Sequence, residues 1–176
     1  MPSWVEWTII GVGGAIGLYI LFFVIVLLTI SKFNKLLNKR REAMRLLLAQ
    51  RKDITIALYK LAIAQKAKAS TLFQNEMTAL TNTEIGLLNS SEIFDFAPKL
   101  EKMTKAVFEF AETSKTIKKM SEYAQYKKEL EELDEIKRQH IAIYNSDING
   151  YNYWIRIMSY RWILIALKFH EKKRIE

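Results

Sequence analysis

The sequence predicts an all-α protein. An N-terminal transmembrane helix should continue into an elongated antiparallel bundle of about four helices. Three observations carry this. No charged residue lies between Glu6 and Lys32, and the run Trp7 to Ser31 is almost wholly apolar. Only 6 Gly and 2 Pro punctuate 176 residues, of which 50% are hydrophobic and 26% charged. Lys, Glu, Leu and Ala are abundant, and apolar residues recur at steps of three and four, the helical period.

The uncharged run holds about 25 residues, more than the roughly 20 a helix needs to cross a bilayer core. In hydrocarbon the backbone must satisfy its own hydrogen bonds, which makes the span helical. A cleaved signal peptide would need a basic start, a shorter core and a small-residue cleavage site. Glu6 and Ser31-Lys32-Phe33 fit neither end, so the expectation is an uncleaved single-pass anchor that includes Trp7, Leu21, Phe22, Phe23 and Ile30. Gly11, Gly13, Gly14 and Gly17 lie within the span, so they are no phosphate loop. Gly13 and Gly17 form a G-x-x-x-G pair that permits close helix approach, against the background that Gly is common in membrane helices.

Lys32, Lys35, Lys39, Arg40, Arg41 and Arg45 crowd the C-terminal flank of the span. The positive-inside rule puts that flank in the cytoplasm and the N-terminus outside, with Trp4 and Trp7 in the outer aromatic belt. Residues 1–31 then form the anchor and 32–176 a cytoplasmic helical domain at the plasma or inner membrane. The net charge is +8. Beside a bilayer, the cluster Lys32–Arg45 draws anionic headgroups. Elsewhere bases alternate with acids, as in Lys127-Lys128-Glu129-Leu130-Glu131-Glu132, and no nucleic-acid motif is found. There is no Cys, hence no disulfide framework and no thiolate chemistry.

Beyond the span, Phe33, Leu37, Met44, Leu47, Ile54, Leu58 and Leu61 form one stripe of a long helix reaching toward Leu80. The stripe thins to alanines after Gln65. Thr81-Asn82-Thr83-Glu84 breaks it, a short helix is expected over 84–88, and Asn89-Ser90-Ser91-Glu92 carries a capping signal. Pro98 reads as a fresh helix start. Leu100, Met103, Val107 and Phe110 continue the pattern to a bend over 113–121. The last long helix carries Leu130, Leu133, His140, Tyr144, Ile148, Tyr151, Ile155, Met158, Trp162, Ile165 and Phe169 on one seam. Gly150 sits inside it at a cost of about 1 kcal/mol relative to Ala. The stretch Ile163–Leu167 is apolar all round and too short to span. Burial in the bundle is the favoured reading. The alternative is an interfacial segment held by Trp154 and Trp162.

At Tyr144-Asn145-Ser146-Asp147-Ile148-Asn149-Gly150-Tyr151-Asn152 the chain resembles the LemA family, which carries a Y-N-x-x-V-x-x-Y-N run near the end of its last long helix. That family begins with one membrane helix followed by Y-N-x-L-V, resembled here by Phe33-Asn34-Lys35-Leu36-Leu37. Its R-R-x-D-L-I-P-x-L element resembles Arg51-Lys52-Asp53-Ile54-Thr55-Ile56-Ala57-Leu58, and its closing phenylalanine resembles Phe169. Ile56 stands at the family's proline, so this would be a divergent member. The resemblance implies a bacterial, membrane-anchored antiparallel bundle with no established enzymatic activity.

Tyr144 and Tyr151 fall on the seam, where packing with the hydroxyl bonded is the commoner role. Asn145 and Asn152 lie one heptad apart beside it, and Asp53 is their expected partner in a structural polar network. His140 and His170 have no metal-ligand spacing. The acids Glu129, Glu131, Glu132, Asp134 and Glu135 lack the E-x-x-H pattern of di-iron bundles and read as a solvated face. No nucleophile, base and acid assemble from the sequence. The expected function is therefore a non-enzymatic scaffold or interaction module without a cofactor, bound to protein partners or to copies of itself. The alternatives are a small subunit of a larger membrane assembly, or a bundle that binds a ligand or cofactor near Asp53, Asn145 and Asn152.

Overall fold

The computed structural model describes residues 3–65 and 69–175, so Pro2 lies outside the described residues. It is all-helical, with no strand among the described residues. Among the described residues five α-helices follow in order: α1 (Ser3–Ala64), α2 (Thr71–Asn82), α3 (Ser90–Glu112), α4 (Ser121–Ile155) and α5 (Met158–Ala166). Single 3-10 turns at Ile85–Leu87 and Ile117–Lys119 join α2 to α3 and α3 to α4.

At 62 residues, α1 runs from the apolar span into the charged stretch without interruption, as expected from the lack of Gly or Pro after Gly17. One 18-residue window of it is apolar enough to cross a membrane, and only 6% of that window is buried. Within the span the hydroxyls of Thr8 and Thr29 bond to their own helix, donating to the carbonyls of Trp4 and Ile25, each at 2.8 Å. That is the arrangement hydrocarbon requires. A β-carbon added at Gly11, Gly13, Gly14 or Gly17 would meet nothing within 4 Å.

The chain divides into two compact units, Met1–Lys39 with Ala142–Glu176, and Arg40–Ile141. The second unit has a continuous apolar core that includes Leu48, Leu58, Ala62, Met77, Leu80, Ile93, Leu100, Val107, Ala111 and Ile117. Tyr59, Phe73 and Phe110 pack against it as a trio, with ring centroids 5.4 to 6.1 Å apart. Truncating a side chain such as Leu58 or Leu100 would remove apolar contacts and leave a cavity, at about 2–5 kcal/mol.

Three expectations about the elements are corrected. The first long helix ends at Ala64, not near Leu80. Ser70 begins a new one, its hydroxyl accepting from the Phe73 amide at 3.3 Å. Pro98 does not start a helix but lies inside α3. The start belongs to the capping signal before it: the Asn89 amide donates to Glu92 at 2.7 Å, and the Glu92 amide to the Asn89 carboxamide at 3.0 Å. These reciprocal bonds satisfy two donors that would otherwise be orphaned. The seam expected to run unbroken to Phe169 stops at Ile155, and α5 restarts it in a new phase. Tyr160 and Leu164 are buried there while Trp162 and Ile165 are exposed, so Ile163–Leu167 is not enclosed on all sides.

Candidate functional site

The Tyr-Asn element lies in the first unit, on the last three turns of α4. Tyr144, Ile148, Tyr151 and Ile155 are all buried, as their shared seam predicts. Asn145 and Asn152 flank that seam. A helix returns to nearly the same angle after seven residues, so both carboxamides point along one side.

What they meet is the backbone of residues 172–175. Asn145 donates through Nδ2 to the Ile175 carbonyl at 2.8 Å, and its Oδ1 accepts from the Ile175 amide at 2.9 Å. Asn152 does the same to Lys172, at 2.8 and 2.9 Å. The spacing explains the match. Seven helical residues rise about 10.5 Å, and three extended residues cover about 10 Å. Two asparagines a heptad apart can therefore each hold one extended residue by both its peptide groups. Between them, Asn149 Oδ1 accepts from Arg174 Nε at 2.8 Å.

Side chains fix the same segment further. Lys172 Nζ lies 4.5 Å from the centroid of the Tyr151 ring, a cation–π contact, and also donates to Asn34 Oδ1. Arg156 pairs with Glu171 at 2.7 Å. Gly150 sits under Phe33: a β-carbon there would lie 2.7 Å from the ring's Cζ. Glycine at this point in α4 is thus the residue that lets the ring approach. Phe169 closes α5. Its amide donates to the Leu164 carbonyl and the Lys168 amide to Ile165, both at 2.9 Å, with Lys168 at φ 64°. This is a Schellman cap, in which an apolar residue at the position of Phe169 packs back on the helix end.

No family model, no curated protein and no solved structure matches this chain.

The expected partnership of Asp53 with Asn145 and Asn152 is not the one formed. Asp53 belongs to the second unit and is exposed, lining a shallow groove with Gln50, Ile54, Glu129, Glu132, Leu133 and Ile136. Both asparagines use donor and acceptor on backbone groups, which complement a carboxamide on both sides where a carboxylate only accepts. Arg51, from the same motif, has the buried role instead. Its side chain is 8% exposed; it bonds Asp134, lies 4.0 Å from Glu101 and reaches the Thr104 hydroxyl at 3.4 Å. The Thr104 and Thr55 hydroxyls are 2.9 Å apart, and Lys137 bonds Glu101. Burial pushes the Glu101 carboxyl up, but Lys137 and Arg51 outweigh it and hold the group below the usual carboxylate range. Asp134 keeps 46% of its side chain exposed, so it pairs with Arg51 from the solvated acidic face.

Sequence reasoning selected the two asparagines, Asn34 and Phe169 but missed Lys172, Arg174 and Ile175. The available signal was spacing: acceptors seven apart on a helix facing a nine-residue tail with no helix-like apolar period.

Proposed function

We propose that this protein is a LemA-like, single-pass membrane protein of the bacterial plasma or inner membrane. On this reading it is a non-enzymatic scaffold, with the N-terminus outside and residues 32–176 on the cytoplasmic side. The observation that carries it is the uncharged, almost unburied stretch of α1 between Glu6 and Lys32, followed directly by Lys32, Lys35, Lys39, Arg40 and Arg41. An apolar helix left uncovered by its own chain needs an apolar surround, and cations are retained on the cytoplasmic side of the bilayer. The same cations would lie among anionic headgroups, at about 1 kcal/mol for each residue close to the surface.

Protein partners, or a second copy, are the proposed ligands of the remaining surface. The open faces of Gly13 and Gly17 favour lateral helix association. The resemblance at the Tyr-Asn runs supports the family reading. The arrangement around Asn145 and Asn152, in which carboxamides hold backbone, supports a structural role for the motif over a cofactor site. A reporter active only outside the cytoplasm, fused after Glu176, should be silent, and activity there would reverse the topology. Cross-linking in native membranes should recover protein partners or dimers. Replacement of Gly13 and Gly17 by Leu should weaken any self-association.

A further inference from the structure

We propose that α5 and the turn before it form a re-entrant element that enters the bilayer from the cytoplasmic side beside the anchor, its outer face against lipid acyl chains. This rests on the membrane reading of α1. The deciding contact is Tyr160. Its hydroxyl donates to the Tyr19 carbonyl at 3.0 Å, and its ring lies 4.7, 5.2 and 5.8 Å from those of Tyr19, Phe23 and Phe22. Tyr160 is buried by these contacts. Tyr19 precedes Lys32 by 13 positions, about 20 Å along a helix. The hydrocarbon core is about 30 Å thick. A residue packed on Tyr19 is therefore deep within the bilayer if α1 crosses it.

The rest of the element suits that place. On the side away from Tyr160, Trp162 and Ile165 are exposed by 70% and 45%. They present an apolar surface alongside a span that is itself uncovered. The backbone of α5 bonds internally and ends in the Schellman cap, so its carbonyls are not left bare in hydrocarbon. Arg156 is neutralised by Glu171. Arg161 carries a long stem along which water and local bilayer thinning can meet its guanidinium. Tyr153 and Trp154, nearer the basic end, suit the interface. The chain then returns to the side it came from. Lys172 bonds Asn34, two residues past Lys32, and α5 has 9 residues, too few to span.

The test uses the absence of native Cys. Single variants Trp162→Cys, Ile165→Cys, Leu28→Cys in the span and Glu131→Cys on the exposed face of α4 are reconstituted in phosphatidylcholine–phosphatidylglycerol vesicles. Fewer than one chain per vesicle is used, so no partner or second copy can shield a thiol. A membrane-impermeant maleimide is supplied on both faces. A thiol in hydrocarbon cannot ionise and does not react. The expected result is loss of labelling at 162, 165 and 28, rapid labelling at 131, and recovery of all in detergent. Labelling at 162 and 165 with 28 still protected would overturn the re-entrant element and leave the anchor intact. Labelling at 28 as well would overturn the membrane reading itself. A second readout keeps Trp162 native, with Trp4, Trp7 and Trp154 changed to Phe. Brominated acyl chains should quench its fluorescence, and unquenched emission would overturn the proposal.

Discussion

The Asn152 carboxamide holds both peptide groups of Lys172, donating to its carbonyl at 2.8 Å and accepting from its amide at 2.9 Å. Asn145 repeats this at Ile175. The two asparagines therefore act as a ladder that fixes an extended segment in register. Asn152→Ala should remove amide-exchange protection at Lys172 first, and Asn145→Ala at Ile175. Each loses two hydrogen bonds, at a net cost of about 1–3 kcal/mol. Hydrogen exchange on the full chain in lipid nanodiscs would read this. Unchanged protection at Lys172 in Asn152→Ala would show that Lys172, through Tyr151 and Asn34, suffices alone.

Arg51 bears on the stability of the second unit in the same way. Arg51→Ala should strand Asp134, leave Glu101 to Lys137 alone and open space beneath Thr104. Breaking a fully buried pair costs about 3–5 kcal/mol, and here the figure should be nearer 2–3, because the carboxylates stay 37% and 46% exposed. Arg51→Met, which keeps the packing, should lose less. Thermal melts of both variants in one detergent would rank them, and equal losses would mean that packing of the stem outweighs the charges.

Arg51 also shows where the sequence was legible and where it was not. The helix ends at the Asn89 capping signal and over 113–121 followed from local chemistry, and so did the uninterrupted helix through the span. The seam of α1 is buried as expected at Leu37, Met44 and Leu58 and lies one step away from Leu47, Ile54 and Leu61. Leu47 and Ile54 continue an apolar pattern, but the buried positions are Met44, Leu48, Arg51, Thr55, Leu58 and Ala62. Two of these are polar, made tolerable by Thr104 on α3, so hydrophobic periodicity alone passes over them. The partner of the Asn pair was invisible for another reason. A peptide backbone is the same at every residue and leaves no mark in side-chain pattern. The break after Ile155 has neither Gly nor Pro to announce it.

Tyr123 and Glu112 give a pH-dependent prediction. The Tyr123 hydroxyl donates to Glu112 at 2.7 Å. Burial first, and this bond second, raise the phenol from 10.0 to about 12. A pKa raised on folding stabilises while the group keeps its proton. The contribution is whole below pH 10 and is lost as pH rises through about 12. Glu112 has the opposite sign. The Tyr123 bond, then Lys118, hold its carboxyl below 4.5, so its contribution is whole above that value and is lost as pH falls through the lowered one. Glu112→Gln should bring the phenol part of the way back toward 10.0, since burial remains. Titration followed by NMR of ring-labelled tyrosine would check this, and an unmoved Tyr123 resonance would assign the whole shift to burial.

Gly150 and Phe33 carry the last prediction. Alanine in an ordinary helix interior is favoured over glycine by about 1 kcal/mol, through lower backbone entropy in the unfolded chain. At Gly150 the added methyl would sit 2.7 and 2.8 Å from Cζ and Cε1 of the Phe33 ring, closer than carbon atoms pack. The ring must move or α4 must withdraw, and the bonds of Asn152 and Asn34 to Lys172 lie within a turn of this contact. Gly150→Ala should therefore destabilise the full chain and increase exchange at Lys172, in spite of its better propensity. In a Phe33→Ala background the same change should become stabilising, by about the propensity difference. The sign reversal in a double-mutant cycle is the measurement. If Gly150→Ala stabilises equally in both backgrounds, the ring yields freely and glycine is not required by the approach of Phe33.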